Sequence, residues 1–400
     1  MPGRAVLVLS LAAFASAAAL RATDPLLPLI AGSFGTTPGG ASAVITGFAV
    51  AYGLLQLVNG PIGERIGKYR MVFWVTAISA AGNLLCALAP SLPLLVAARF
   101  ATGATVGAIV PLAMAWIGDV VPYERRQAVL ARFLIGHMFG VAFATSASGF
   151  LGERYGWQAM FYVLAALYAV TALMLQLELR TNPQTREAQP GAGGIGAAFG
   201  RMAALTRLPW VRVILAIVSL EGALFYGALA FVALDLHQRF GLSLGASGSM
   251  VAAFALGGLL YAAGAGRLVP RLGERGLVLG GGVLIGLGFL GLALAPSAGW
   301  AFPCIVGLGT GIYMLHNTLQ VHATQMAPEA RGGSLALFAC SLFTGQSAGV
   351  WLASQVVDTA GARPVFVVAA IGLSLLALDF RRRLGILRQT VAPVGRRGIE

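Results

Sequence analysis

The sequence predicts an all-α integral membrane protein, with twelve transmembrane helices in two pseudo-symmetric six-helix bundles. Three observations carry that expectation. Hydrophobic residues make up 58% of the 400 and charged residues 10%, against roughly 25% charged in soluble domains. Apolar stretches long enough to cross a bilayer, about 20 residues each, recur along the whole chain. A dense knot of glycine and charge at Gly60–Arg70 also returns, in weaker form, 206 residues later at Gly266–Arg275.

The hydropathy places spans at approximately 5–30, 42–62, 71–90, 93–119, 127–150, 157–179, 211–236, 244–266, 276–296, 299–326, 332–355 and 364–381. The first begins just after Arg4. Ala15-Ser16-Ala17 inside it imitates a signal-peptide cleavage site, but the run continues to about Ile30, longer than a secretory h-region. A retained first span is expected, with cleavage the alternative. Between the sixth and seventh spans the chain turns polar, with Pro183, Pro190 and a Gly-Ala-Gly-Gly run, the composition of a linker. The expected organisation is a bundle over 1–180, a cytoplasmic linker over 181–209, a second bundle over 210–385 and a basic cytoplasmic tail over 386–400. A short apolar stretch near Ile195–Leu205, with Arg201 and Arg207 about it, suits a helix lying on the membrane surface. The 54 glycines suit close helix packing in lipid, where small residues let backbones approach.

The net charge of +13 does not point to nucleic acid, because of where it sits. With the N-terminus inside, one side of the membrane carries 21 of the 27 basic residues. These include Arg65, Lys68, Arg70, Arg125, Arg126, the linker arginines, Arg267, Arg271, Arg275, Arg331 and the tail from Arg381. The other side carries only Arg154, Arg239 and Arg363. That asymmetry assigns both termini to the cytoplasm, here of a cell inner membrane. Cys86, Cys304 and Cys340 are isolated within apolar runs, with neither disulfide nor metal spacing, and no cofactor or metal is expected. The sequence holds no nucleotide loop of the form G-x-x-x-x-G-K-(S/T), which excludes an ATP-driven pump in this chain. Nor is a nucleophile–base arrangement visible, and the chain is not expected to be an enzyme.

The repeat extends beyond the knot. Gly60, Arg65 and Gly67 recur as Gly266, Arg271 and Gly273; Phe34-Gly35 as Phe240-Gly241; Phe48 as Phe254; Pro122 and Arg125 as Pro328 and Arg331, all displaced by 206. The register then slips slightly, so that Gly136-x-x-x-Gly140 faces Gly345-x-x-x-Gly349, and Gly156 and Phe161 return as Gly361 and Phe366. A shared offset of this length predicts two six-span halves of parallel topology.

The knot between spans 2 and 3 resembles the signature loop of the major facilitator superfamily, G-x-x-x-(D/E)-(R/K)-x-G-(R/K)-(R/K). It is met at Gly60, Glu64, Arg65, Gly67, Lys68 and, one position late, Arg70. Within that superfamily the chain looks most like the twelve-span drug:proton antiporter and sugar-efflux group. Arg99-x-x-x-Gly103-x-x-x-Gly107 in span 4 resembles the R-x-x-x-G element of those exporters. Span 5 of the group often carries G-Q-x-x-G-x-x-x-G-P-x-x-G-G. This chain has Gly136, His137, Gly140, Ala144, Thr145, Ser148 and Gly149 at those positions, so the Gly-Pro pair is Ala144-Thr145 and His137 replaces Gln.

The resemblance implies a conformational latch at Gly60, Glu64, Arg65, Gly67, Lys68, Arg70 and Asp119. Glu64 is expected at the positive N-terminal end of span 11, near Arg331 and Gly332, and Arg65 against Asp119 at the end of span 4. Simple topology-setting charge is the alternative. It also implies that spans 1, 4, 7 and 10 line a central cavity. Each of these carries a membrane-depth ionisable residue, costly enough there to suggest function: Arg21 and Asp24, Arg99, Glu221 and His316. Arg132 and His137 on span 5 and His322, lower on span 10, depart from that pattern.

Arg21 and Asp24 are three apart and share a helical face, and Pro25 and Pro28 disturb the backbone beside them. Both Asp24 and Arg99 fall roughly 10 Å outward from the centres of their spans. Asp24 is therefore a candidate proton switch with Arg99 and Arg21 as countercharge, or one member of a permanent structural ion pair. Glu221 has no basic neighbour on its own span. It is the second proton-carrier candidate, or a contact for a cationic substrate. Tyr52 and Gln56 on span 2, His137, Tyr226, and His316, Asn317 and Gln320 on span 10 are candidate substrate contacts. For Asn317 interhelical hydrogen bonding is the alternative, and for His137 plain packing.

The expected function is secondary active transport by alternating access, as proton-coupled efflux of a small organic compound or drug. A proton symporter importing an organic acid or sugar is the alternative, suited by the arginines and by the missing Gly-Pro. A membrane sensor that has lost transport is the third reading. The expected partners are a small-molecule substrate, protons and the lipid bilayer, with no nucleic acid and with a monomeric protein.

Overall fold

A computed structural model describes residues 2–186, 195–326 and 331–391. Among these, eleven helical segments are long and apolar enough to cross a membrane. They are Gly3–Phe34, Pro38–Ile66, Lys68–Ala87, Leu92–Val120, Arg125–Tyr155, Gln158–Thr181, Pro209–Phe240, Leu244–Leu294, Ala298–Gln325, Gly332–Ala360 and Arg363–Ile386. The eighth holds two spans. Its 51 residues would reach about 75 Å as one helix, against a hydrocarbon core of about 30 Å. Gly273, at φ 60° and ψ 178°, parts it into the eighth and ninth spans. Twelve spans therefore stand. The difference from the sequence reading lies in the connection, which is a break inside near-continuous helix rather than a loop over 267–275.

Backbone geometry repeats with the sequence. The glycines at positive φ among the described residues form three pairs: Gly35 with Gly241, Gly67 with Gly273, and Gly156 with Gly361. Each pair keeps the offset of 206 or 205, and only glycine takes this conformation without a Cβ penalty. Gly35 and Gly241 both end their helices in left-handed caps.

Packing repeats as well. Gly136 and Gly140 of span 5 lie against the backbone carbonyls of Ser10 and Phe14 in span 1. Gly345 and Gly349 of span 11 lie in the same way on those of Ser219 and Ala223 in span 7. A Cβ at any of these four positions would collide with the neighbouring backbone, so the spacing read from the sequence is a pair of equivalent helix contacts.

Three of the spans expected to line the cavity are interrupted. Span 1 is helical over Pro2–Arg21, passes through a tight turn at Asp24–Leu26, and resumes at Leu27–Phe34, as Pro25 and Pro28 require. Span 4 breaks between Leu92–Val106 and Ile109–Val120. Span 7 passes into a π-helical turn at Gly222–Tyr226 directly after Glu221. Such breaks free backbone carbonyls at a depth where lipid offers no hydrogen bond.

Ile195–Leu205 forms the expected linker helix, and its Met202 is buried beside Gly333 at the start of span 11. The last helix, Arg363–Val391, continues beyond the expected end of span 12. The rest of the linker, 187–194, and of the tail, 392–400, lies outside the described residues.

Candidate functional site

The break in span 1 sets the first cluster. Arg21 closes the helix and Asp24 opens the turn that follows, with both side chains buried. Arg21 Nη2 and Asp24 Oδ2 stand 2.7 Å apart. This is an ion pair within one span, between residues that neither solvent nor lipid reaches.

Arg99 was expected to counter Asp24 directly. Its hydrogen bonds go to backbone carbonyls instead. Fully buried, it donates through Nη2 to the carbonyl of Ala19 at 3.1 Å and through Nε to that of Val44 at 3.4 Å. Its guanidinium lies 4.0 Å from the Phe48 ring centroid and 5.8 Å from that of Phe161. Ala19 sits in the last turn before the break, where carbonyls lose their intrahelical partners. Arg99 thus ties span 4 to spans 1, 2 and 6, while its charge also acts on Asp24 across the buried site.

The second cluster lies in the other half. Glu221, fully buried at the end of the first segment of span 7, is hydrogen-bonded through Oε2 to His316 Nδ1 of span 10 at 2.8 Å. The carboxyl that the sequence left without a partner therefore has one, 95 residues away. Its other oxygen, Oε1, is buried without a hydrogen bond. His316 keeps 20% of its side-chain surface and packs against Phe338 of span 11 at 5.4 Å between ring centroids.

Contacts between the halves join the two clusters. The Arg21 guanidinium lies 6.0 Å from the Tyr226 ring, at the end of the π-helical turn. Tyr52 of span 2 meets Phe343 of span 11 with ring centroids 4.2 Å apart. Ser347 donates to the carbonyl of Thr46 at 3.0 Å. Tyr52 and Tyr226 are therefore interface residues. Gln56 is otherwise engaged: its amide donates to the Gly107 carbonyl at 2.8 Å, capping the break in span 4. His137 is half-buried with Nδ1 enclosed, Asn317 is half-buried, and Gln320 is exposed.

At the loop, the partner of Asp119 is Lys68, not Arg65. Gly67, at φ 92°, turns the chain, and Lys68 opens span 3 beside the end of span 4. Arg65 stays in the last turn of span 2, exposed with Glu64, and Arg70 is exposed as well. The Lys68–Asp119 pair is internal to one half. The expected contact of Glu64 with span 11 borders residues 327–330, outside the described residues.

Two further ion pairs escaped the sequence reading. Asp235 and Arg239 stand 2.9 Å apart, and Arg239 donates to the carbonyls of Leu292 at 2.6 Å and Ala293 at 3.1 Å, capping the C-terminal end of span 9. Their spacing of four on one helix was the available signal. Arg4 and Glu178, 2.7 Å apart, join the start of span 1 to the end of span 6 and carried no such signal.

Two repeated six-span bundles, interrupted spans and buried charge at the junction define a polytopic membrane transporter. The sequence model of the Major Facilitator Superfamily matches residues 9–338, and the chain belongs to that superfamily. It is 23% identical over 344 residues to the uncharacterized MFS-type transporter YceJ of Bacillus subtilis (strain 168), covering 82% of this chain and 83% of the relative. It is also 23% identical over 193 residues to the multidrug export protein EmrB of Escherichia coli (strain K12), covering 48% of this chain and 38% of that one. Among solved structures it resembles the nucleoside transporter NupG, with TM-score 0.78 and 14% identity over 94% of this chain and 99% of that one. It also resembles the human organic anion transporter MFSD10, with TM-score 0.69 and 19% identity over the same shares. At these identities the structural likeness shows the fold alone.

Proposed function

We propose that this transporter exports a small organic compound in exchange for protons, by alternating access, with the Gly60–Arg70 loop at the cytoplasmic face. The observation that carries the reading is Glu221. It is a fully buried carboxyl with one oxygen on a partly exposed histidine of another span and the other oxygen open. A carboxyl so placed can exchange a proton, or a cationic substrate, against the imidazole. The π-helical turn beside it is a common mark of functional sites. The partial similarity to a multidrug export protein supports the outward direction. The basic residues gathered on the loop's side support the orientation.

Import with protons is the second reading, favoured by Ala144-Thr145 where the exporter group carries Gly-Pro. Purified protein in liposomes with a trapped pH dye separates the two. Ethidium and benzoate serve as cationic and anionic probes across an imposed proton gradient. Antiport predicts that probe flux and proton flux run in opposite directions. Parallel fluxes sustain import, and a protein that moves neither proton nor probe over a wider panel sustains the sensor reading.

A further inference from the structure

At the end of the molecule opposite the Gly60–Arg70 loop, two carboxylates join the halves from repeat-equivalent positions. Glu153, in the last turn of span 5, accepts from the backbone N–H of Leu244 and, at 3.3 Å, from that of Gly245 at the start of span 8. Asp358, near the end of span 11, accepts through Oδ1 from the N–H of Gly39 at 2.8 Å and through Oδ2 from the Thr37 hydroxyl at 2.6 Å, at the start of span 2. Leu244 and Gly245 are Pro38 and Gly39 displaced by 206, and Asp358 is Glu153 displaced by 205. Each half therefore caps a helix of the other with a carboxylate from the same rung of the repeat.

The chemistry suits a releasable contact. The first N–H groups of a helix have no intrahelical partner and carry the positive end of its dipole. A carboxylate placed there makes charge-assisted hydrogen bonds. Both carboxylates are exposed, so the bonds compete with water and are reversible. Bare backbone is needed at both corners. A Cβ on Gly39 would fall on the Asp358 carboxyl, and one on Gly245 would meet the Phe150 ring at 2.6 Å.

We propose that Glu153 and Asp358 form a two-fold lock that holds this end shut, and that both bonds break when the end opens. The proposal rests on the alternating-access reading. It assigns to this end, and to both halves, the carboxylate-on-helix contact that the sequence suggests for Glu64 at the other end.

The test uses the full chain with Cys86, Cys304 and Cys340 replaced by Ala. Spin labels go on Leu88→Cys and Leu294→Cys, exposed and repeat-equivalent positions in opposite halves. Double electron–electron resonance then reads the distance between the halves at this end. The Glu153→Ala/Asp358→Ala variant is expected to shift the ratio of long to short distances roughly tenfold toward long, the size that two exposed carboxylate–helix contacts supply together. Glu153→Gln and Asp358→Asn, each with the other corner intact, shift it the same way by less, and decide the matter should the double variant not fold. Unchanged distances in folded variants overturn the lock. A wild type that moves no probe while the double variant still opens fails the transport reading and leaves the lock standing.

Discussion

Two buried carboxylates stand near the junction of the halves, one on span 1 and one on span 7, with unlike partners. Asp24 meets an arginine three residues earlier on its own span. Glu221 meets a histidine on another span. Arginine keeps its charge at every accessible pH, whereas histidine gains or loses a proton near neutrality. We propose that the first pair stays charged, as a fixed feature of a broken helix. The second joins spans 7 and 10 through an imidazole, a group able to change charge near neutrality. Likeness of fold between the halves does not extend to the chemistry of the pairs, and the proposed coupling falls on the C-terminal half.

Breaking the fixed pair is expected to have the largest effect on stability. Asp24→Asn leaves Arg21 buried without its countercharge, which costs about 3–5 kcal/mol, read as a lower unfolding temperature in detergent. Replacing both residues with apolar ones, Arg21→Met with Asp24→Leu, restores most of that loss, since the pair's desolvation cost goes with it. Arg99→Met comes next, at about 2 kcal/mol, because it keeps the stem against the rings but gives up charged hydrogen bonds to Ala19 and Val44. Lys68→Gln is the smallest, at no more than about 1 kcal/mol, because the Lys68–Asp119 pair is partly exposed. An Asp24→Asn loss as small as that of Lys68→Gln would sink the fixed-charge reading of the first pair.

Most of the fold was legible because its signals are local or periodic. Hydropathy marked the spans, and the recurring glycines marked the same turns and helix contacts in both halves, from Gly67 and Gly273 to Gly140 and Gly349. The Arg21–Asp24 pair was legible for the same reason, being three residues apart on one span. Partners distant in the chain were not. Glu221 read as solitary because His316 belongs to another helix, and the hydrogen bonds of Arg99 went unseen because carbonyls freed by a helix break leave no trace in composition. Lys68 lost its role to Arg65 on paper because the turn at Gly67 decides which of them faces Asp119. Glu153 and Asp358 read as ordinary charges at loop ends, since capping the other half's helices is visible only once the halves are docked.

We propose that proton movement runs through Glu221 and His316 rather than through Asp24. Proton flux in liposomes, measured side by side for Glu221→Gln and for whatever folded Asp24→Asn can be recovered, tests it most directly. The account predicts that coupled flux falls to background in the first while probe counterflow continues, and that coupling per folded molecule persists in the second. Coupling that survives Glu221→Gln and disappears with Asp24→Asn would contradict it.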